Sequence, residues 1–134
     1  MNTISTLLID IEHPGLKEPL RLMCGHGFSA LRTDNTGRDI FGFAHEGREY
    51  LLFPFSFATD GENRLIMSIP AAYAEWFANM NLNGARIRFA SPHGEPLFAF
   101  LPKERQSGTG VLAIDDQGVI AVTMDMAGSA RSPA

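Results

Sequence analysis

Cysteine and histidine are the residues of this chain that could ligate a metal or pair as nucleophile and base. The single cysteine, Cys24, lies two residues from His26, whereas His13, His45 and His93 are distant in the sequence. A structural zinc site usually shows two close pairs of ligands, and here there is one irregular pair. The pattern is more typical of a buried thiol at a strand end beside a histidine in a turn. We therefore predict no metal site and no required cofactor.

Other residue patterns typical of enzymes are equally weak. Asp115 and Asp116 are adjacent, so on a strand they would face opposite ways, and a role in a turn fits them better than paired acid and base chemistry. Gly25-His26-Gly27 lacks the further glycine and the Gly-Lys-Ser/Thr ending of a phosphate loop. There is no Gly-x-Ser-x-Gly motif. We predict no catalytic residues and expect a protein that is not an enzyme.

Short apolar runs separated by turn residues follow one another from Ile4 to Met124. Regular strands with turn signals between them are typical of antiparallel sandwiches and barrels. We therefore predict a mostly β fold, an antiparallel β-sandwich or barrel-like domain with one principal α-helix. The predicted strands cover residues 4–12, 19–24, 28–33, 40–44, 50–58, 64–69, 85–90, 96–101, 110–115 and 118–124.

One segment has helical periodicity. Pro70 suits a first helical turn, and Asn83-Gly84 provides an end. Between them, apolar side chains recur at positions i, i+3, i+4 and i+7, namely Tyr73, Trp76, Phe77 and Met80. We interpret this stripe as core rather than as a ligand-stacking face, and we expect Trp76 at its centre to be buried.

The apolar run from Tyr50 to Phe57 suggests a subunit contact. Phe53 and Phe55 would share one strand face, and Pro54 lacks the N–H that a ladder requires, so it belongs at an edge or a bulge. An exposed apolar edge would aggregate unless another chain covered it. The helix or a loop of the same chain could cover it instead, and the sequence leaves both possibilities open. The hypothesised interface residues are Phe53, Pro54 and Phe55.

Composition limits the size and the partners of the protein. The 134 residues, 45% of them hydrophobic, suit a single β-rich domain over 1–126 with a flexible tail over 127–134. The net charge is -4 and the basic residues are scattered, which argues against nucleic acid as a partner. The longest uncharged stretch, from Tyr50 to Thr59, is too short to cross a bilayer as a helix, so we expect no membrane association.

Three phrases of the sequence resemble one family of phage proteins. They are His13-Pro14-Gly15-Leu16-Lys17-Glu18-Pro19-Leu20-Arg21-Leu22, then Glu49-Tyr50-Leu51-Leu52-Phe53-Pro54-Phe55-Ser56-Phe57, then Arg64-Leu65-Ile66-Met67-Ser68-Ile69 entering a short helix. The order is similar to that of the small tail-tip, or minor tail, proteins of long-tailed phages and prophages. That resemblance implies a structural subunit of the distal tail, made in the host cytoplasm and located in the virion. It also implies a symmetric homo-oligomer, such as a ring, in contact with other tail proteins.

Two alternatives belong to other functional classes. A small acidic β-rich binding or inhibitor module, such as a phage-encoded regulator, would look much the same in sequence. An enzyme would need histidine, aspartate and serine groups that only the fold brings together, and it ranks last. Tape-measure and tail-fibre genes beside the gene for this protein would favour the tail role.

Overall fold

The computed structural model describes residues 6–59, 64–93 and 108–125. Within these ranges the chain forms ten strands and one helix. In order they are β1 (Leu7–Glu12), β2 (Leu20–Cys24), β3 (Ser29–Thr33), β4 (Asp39–His45), β5 (Arg48–Leu52), β6 (Ser56–Thr59), β7 (Arg64–Ser68), α1 (Ala71–Asn79), β8 (Arg86–Ala90), β9 (Thr109–Ile114) and β10 (Ile120–Met124).

The strands form one sheet in the order β3-β4-β5-β2-β1-β8-β9-β10-β7-β6. Neighbours are antiparallel except β2 and β5, which pair in parallel through Leu22 with Leu51 and Met23 with Leu52. The β4–β5 hairpin turns at Glu46-Gly47, where φ is 53° and 81°, the left-handed geometry of a tight two-residue turn. The prediction of a mostly β fold with one helix is confirmed.

Chain connectivity requires the sheet to be rolled. β5 and β6 are seven strand positions apart in the sheet, which in a flat sheet would separate them by roughly 34 Å. However, only residues 53–55 join them, and the four residue steps from Leu52 to Ser56 span at most about 15 Å. The sheet must therefore curl until β6 lies near β5. We call residues 53–55 the seam of this barrel-like sheet.

Hydrogen bonds and ring contacts hold the seam closed. The Phe53 N–H donates to the Met23 carbonyl at 2.9 Å, and the Phe55 N–H donates to the Cys24 sulfur. Across the interior, the Phe57 and Phe89 rings meet edge to face with centroids 5.3 Å apart, so β6 reaches β8. The predicted strand over 50–58 is therefore wrong as a single element. It is two strands, because Pro54 cannot donate to a ladder and the chain changes partner from β2 to β7.

The main core fills the inside of the rolled sheet and is closed by α1. Its fully buried members include Ile9, Leu65, Phe77, Ile87 and Leu112, which come from four strands and the helix. A smaller cluster on the outer face joins Leu8, Met23 and Tyr50, with Phe43 and Ala90 packed against it. The predicted strand over 96–101 and the tail over 127–134 lie outside the described residues.

Candidate functional site

Helix α1 follows β7 and is held in place by packing rather than by capping side chains. It begins after Pro70, whose carbonyl accepts the Tyr73 N–H at 2.9 Å, and ends at Met80 and Asn81, where Asn81 has φ of 55°. No side chain caps its N-terminus, its first turn carries no acidic residue, and its last turn carries no basic one. A nine-residue helix without these aids is marginal in isolation, so its tertiary contacts must stabilise it.

The surface of α1 is apolar and exposed. Among its nine residues only Phe77 is buried, although seven are apolar and only Glu75 is charged. Trp76 is 47% exposed and Tyr73 is 43% exposed, so the expectation that Trp76 is buried is wrong. The helix lies against the rolled sheet through a narrow face centred on Phe77, which leaves the two larger aromatic rings on one flank.

Phe53 connects this helix to the seam. Its ring centroid lies 5.2 Å from that of Tyr73, 5.3 Å from Trp76 and 6.2 Å from Phe77. Phe55 is next to it at 6.5 Å. The Phe53 side chain itself is only 4% exposed. The seam phenylalanines therefore form the support on which the exposed aromatic rings of α1 rest.

An apolar groove opens between α1 and β5 over the Phe53 ring. We call it the aromatic groove; it has a volume of about 300 Å³ and is lined by Leu22, Leu51, Leu52, Phe53, Tyr73 and Trp76. Leu52 is 37% exposed and forms the wall opposite the helix. Among the described residues, none of the side chains that line the groove carries a charge at neutral pH, and this part of the groove suits an uncharged, apolar occupant.

The seam residues predicted from sequence as an interface are split by the structure. Phe53 and Phe55 are buried by the protein's own helix and strands, which is the second of the two possibilities that the sequence left open. Pro54 is exposed and lines a neighbouring apolar groove of about 380 Å³ with Ile69 and Pro70. A subunit contact at the seam stays a prediction, and Pro54 is the residue that could make it directly.

A third groove lies on the opposite flank of α1, against the β9–β10 turn. We call it the alanine groove; its volume is about 370 Å³. Its lining comes from the helix and from the β9–β10 hairpin, namely Ala74, Glu75, Phe77, Ala78, Ile114, Gln117, Gly118 and Ile120. Thus apolar grooves lie on both sides of the exposed helix.

Polar groups gather on the outer face of the sheet rather than near α1. Arg21 donates to Asp10 at 3.0 Å, and Arg86 and Thr109 both donate to Asp125 at 2.7 Å. The hydrogen bond from Arg86, together with that from Thr109, holds the pKa of Asp125 below its usual range. The first contact joins the neighbouring strands β1 and β2, and the other two tie Asp125, directly after β10, to β9 and to β8 beyond it. Their chemistry is that of pairing across strands of one sheet.

The cysteine and histidines named in the sequence do not converge. Cys24 is half-buried at the end of β2, and burial raises the pKa of its thiol while the Phe55 N–H partly offsets this. His13 accepts the Gly15 N–H at 2.9 Å, and His45 and His93 each contact the Phe43 ring. In the part of the chain that the structure describes, no three His, Cys, Asp or Glu side chains form a possible metal site.

Comparisons with known proteins give no relative from which to transfer a function. No protein-family model matches the chain, and neither the curated proteins nor the solved structures include a match. Among the described residues, no helix is long and apolar enough to cross a membrane.

The helical spacing of the aromatic residues of α1 is visible in the sequence, but it predicts that they belong to the core. One signal in the sequence pointed the other way, because Glu75 is the only charged residue between Ile69 and Arg86. A helix with so few polar side chains is poorly solvated where it is exposed. Among the residues that the structure describes, packing buries only the Phe77 side of this helix.

Proposed function

We propose that this protein is a structural subunit of the tail tip of a long-tailed phage or prophage and acts by assembling with neighbouring subunits. The tail assignment is supported by the resemblance of the three sequence phrases. The assembly role is supported by one structural observation, the exposed apolar surface of α1. A helix that is apolar on nearly all sides is normally buried, so this one is expected to meet a partner.

The aromatic groove has the composition of an interface core. Cores of protein interfaces are depleted of charged residues and enriched in tyrosine and tryptophan. Aromatic side chains bury about 150–250 Å² each, so the exposed parts of Tyr73 and Trp76 leave roughly 150–250 Å² for a partner to cover. Leu52 and Pro54 extend this area along the strand and the seam.

The proposed occupant of the aromatic groove is a neighbouring copy of the protein in a symmetric homo-oligomer. In a ring, one surface of each subunit contacts a different surface of the next. The aromatic groove of each subunit would therefore receive a different surface of its neighbour. The low charged fraction of 19% favours contacts of this apolar kind. No catalytic group is required for such a role.

The proposal is tested by replacing Trp76 in the phage or prophage that encodes the protein. Trp76→Glu places a charge in the aromatic groove without emptying the core, whereas Asn35→Glu adds the same charge at an exposed loop far along the chain. Wild-type protein and Asn35→Glu are expected in purified tails by mass spectrometry. Trp76→Glu is expected to fold, by circular dichroism, but to be missing from the particles.

Two results would reject parts of the proposal separately. Absence of the wild-type protein from purified particles would reject the tail-tip role and favour the binding or inhibitor module. Normal incorporation of folded Trp76→Glu would reject α1 as the assembly surface while leaving the tail location intact.

A further inference from the structure

We infer that the surface of the neighbouring copy which enters the aromatic groove is a pair of phenylalanine rings, Phe28 and Phe41, and that two copies make this contact reciprocally. The inference rests on the proposed function in one respect, namely that a second copy occupies the aromatic groove. It adds which side chains of that copy enter the groove and how the two copies are related.

Phe28 and Phe41 form a second cluster of exposed aromatic rings, which we call the phenylalanine pair. Phe28 lies directly before β3 and Phe41 lies in β4. Their rings meet edge to face with centroids 6.2 Å apart, yet the two residues are 46% and 44% exposed. Each ring therefore limits the movement of the other while both keep apolar surface in contact with water.

The register of the sheet places the phenylalanine pair beside the aromatic groove. β4 and β5 are antiparallel and pair through Phe43 with Tyr50. Two residues further along the strands, on the same face of the sheet, are Phe41 and Leu52. Leu52 is also the wall of the aromatic groove opposite the helix. The phenylalanine pair, Leu52 and the groove therefore form one continuous apolar band, which runs from the start of β3 across β4 and β5 to α1.

The apolar band is large enough for a specific interface. Among the residues that the structure describes, it contains every exposed large apolar side chain except Val111 and Val119. Its four exposed aromatic side chains are each nearly half exposed, and a fully buried one covers about 150–250 Å², so they leave roughly 300–500 Å² to be covered. A standard interface takes about 800 Å² from each partner, of which about 56–65% is apolar. The band can supply most of that apolar share.

The two ends of the band are complementary to each other. One end is an apolar groove, the other is a pair of aromatic rings, and none of the described side chains that form them is charged. Aromatic side chains that enter apolar pockets are the usual anchors of protein interfaces. A second copy of the chain therefore carries the kind of group that the groove suits.

The position of both ends on one face determines the symmetry. A copy whose phenylalanine pair enters the groove brings its own groove over the phenylalanine pair of the first copy. Two copies related by a twofold axis thus make the same contact twice. A third copy would have to occupy the same face, so association through the band stops at two. A larger ring would then be built from these pairs through other surfaces of the subunit.

Sedimentation velocity of the purified, full-length protein over a range of concentrations tests the association. We expect an equilibrium between monomer and dimer. Phe41→Glu and Trp76→Lys each place an unpaired charge in the contact and are expected to weaken the dimer about tenfold or more. Val119→Glu adds a charge at an exposed apolar position outside the band and is expected to leave the dimer unchanged. Circular dichroism checks that each variant is folded.

Mixing two variants tests which surfaces meet. In a mixed pair of Phe41→Glu and Trp76→Lys, the glutamate of one copy faces the lysine of the other, and the second contact is wild type on both sides. We expect this mixture to dimerise much more strongly than either variant alone. A mixture of Phe41→Glu with Trp76→Glu brings two carboxylates together and is expected to remain monomeric.

The inference is overturned by any of three outcomes. These are a wild-type protein that is monomeric at every concentration, a Phe41→Glu variant that dimerises like the wild type, and a mixture of Phe41→Glu with Trp76→Lys that does not associate. The tail-tip role is judged separately, by the presence of the protein in purified particles. A protein that dimerises in solution but is missing from the particles would reject that role alone, and a monomeric protein found in the particles would reject only the present inference.

Discussion

Among single residues, Phe53 has the most consequential position, because it joins the seam to three aromatic side chains of α1. We expect Phe53→Ala to lower the free energy of unfolding by about 3–5 kcal/mol, the usual cost of emptying a large aromatic site in a core. Phe41→Ala removes an equally large ring that is 44% exposed, and should cost much less. Urea unfolding followed by circular dichroism measures both, and equal costs would contradict the central role of Phe53.

Because Phe55 is buried, a substitution at this position affects folding and cannot isolate an effect on assembly. Its side chain is part of the core cluster, so Phe55→Asp would place a carboxylate among apolar residues. That variant tests folding rather than assembly. An exposed residue such as Trp76 is the appropriate place to test a contact between subunits.

Tyr50 gives stability a dependence on alkaline pH. Burial, with a hydrogen bond to Asp10 and the negative charge of Asp10, raises the pKa of Tyr50 from 10.0 to about 12. Between these values the folded protein keeps a proton that the unfolded chain loses. The free energy of unfolding should therefore be undiminished below pH 10 and should decrease as the pH rises toward 12.

The measurement is urea unfolding at a series of pH values from about 9 to 12, which brackets both pKa values. Tyr50→Phe keeps the ring in the outer cluster but has no hydroxyl to ionise. We expect its stability to decrease less steeply over this range. A variant that follows the wild-type curve would show that other groups cause the alkaline loss.

Among the secondary-structure elements, α1 was predicted from the sequence, but the exposure of its aromatic side chains was not. We expect Phe77→Ala to cost about 3–5 kcal/mol, since Phe77 is fully buried. Trp76→Ala, one residue away, should cost about 1 kcal/mol, because half of the indole is in contact with water. The pair is compared by urea unfolding with circular dichroism detection, and a larger cost for Trp76 would contradict the orientation of the helix.

Strand positions were largely predictable for a simple reason. Short apolar runs ending at glycine, proline or aspartate report local preferences, and β4, β7, β8 and β10 follow them closely. The break at Pro54 was visible as a missing N–H, but the change of partner that goes with it was not. Which strand a segment pairs with depends on residues far away in the sequence.

At the scale of the whole molecule, the pairing order shows this limit clearly. β1 lies between β2, its neighbour in sequence, and β8, which is more than seventy residues away. Two other features also depend on residues far apart in the sequence: the parallel pairing of β2 with β5, and the position of β6 near the seam. Nothing in the local pattern of a strand specifies such partners, because any apolar strand edge offers the same backbone groups.

The sequence alone determined the mostly β class, the helix after Pro70 and most strand limits, because each depends on the spacing of apolar residues and turn formers within a short segment. It also identified the aromatic residues of α1 and the phenylalanines of the seam. Which of these side chains are exposed to water depends on the tertiary structure. Burial depends on what the rolled sheet places beside each side chain, and that placement put Phe53 and Phe55 inside and left Tyr73 and Trp76 exposed.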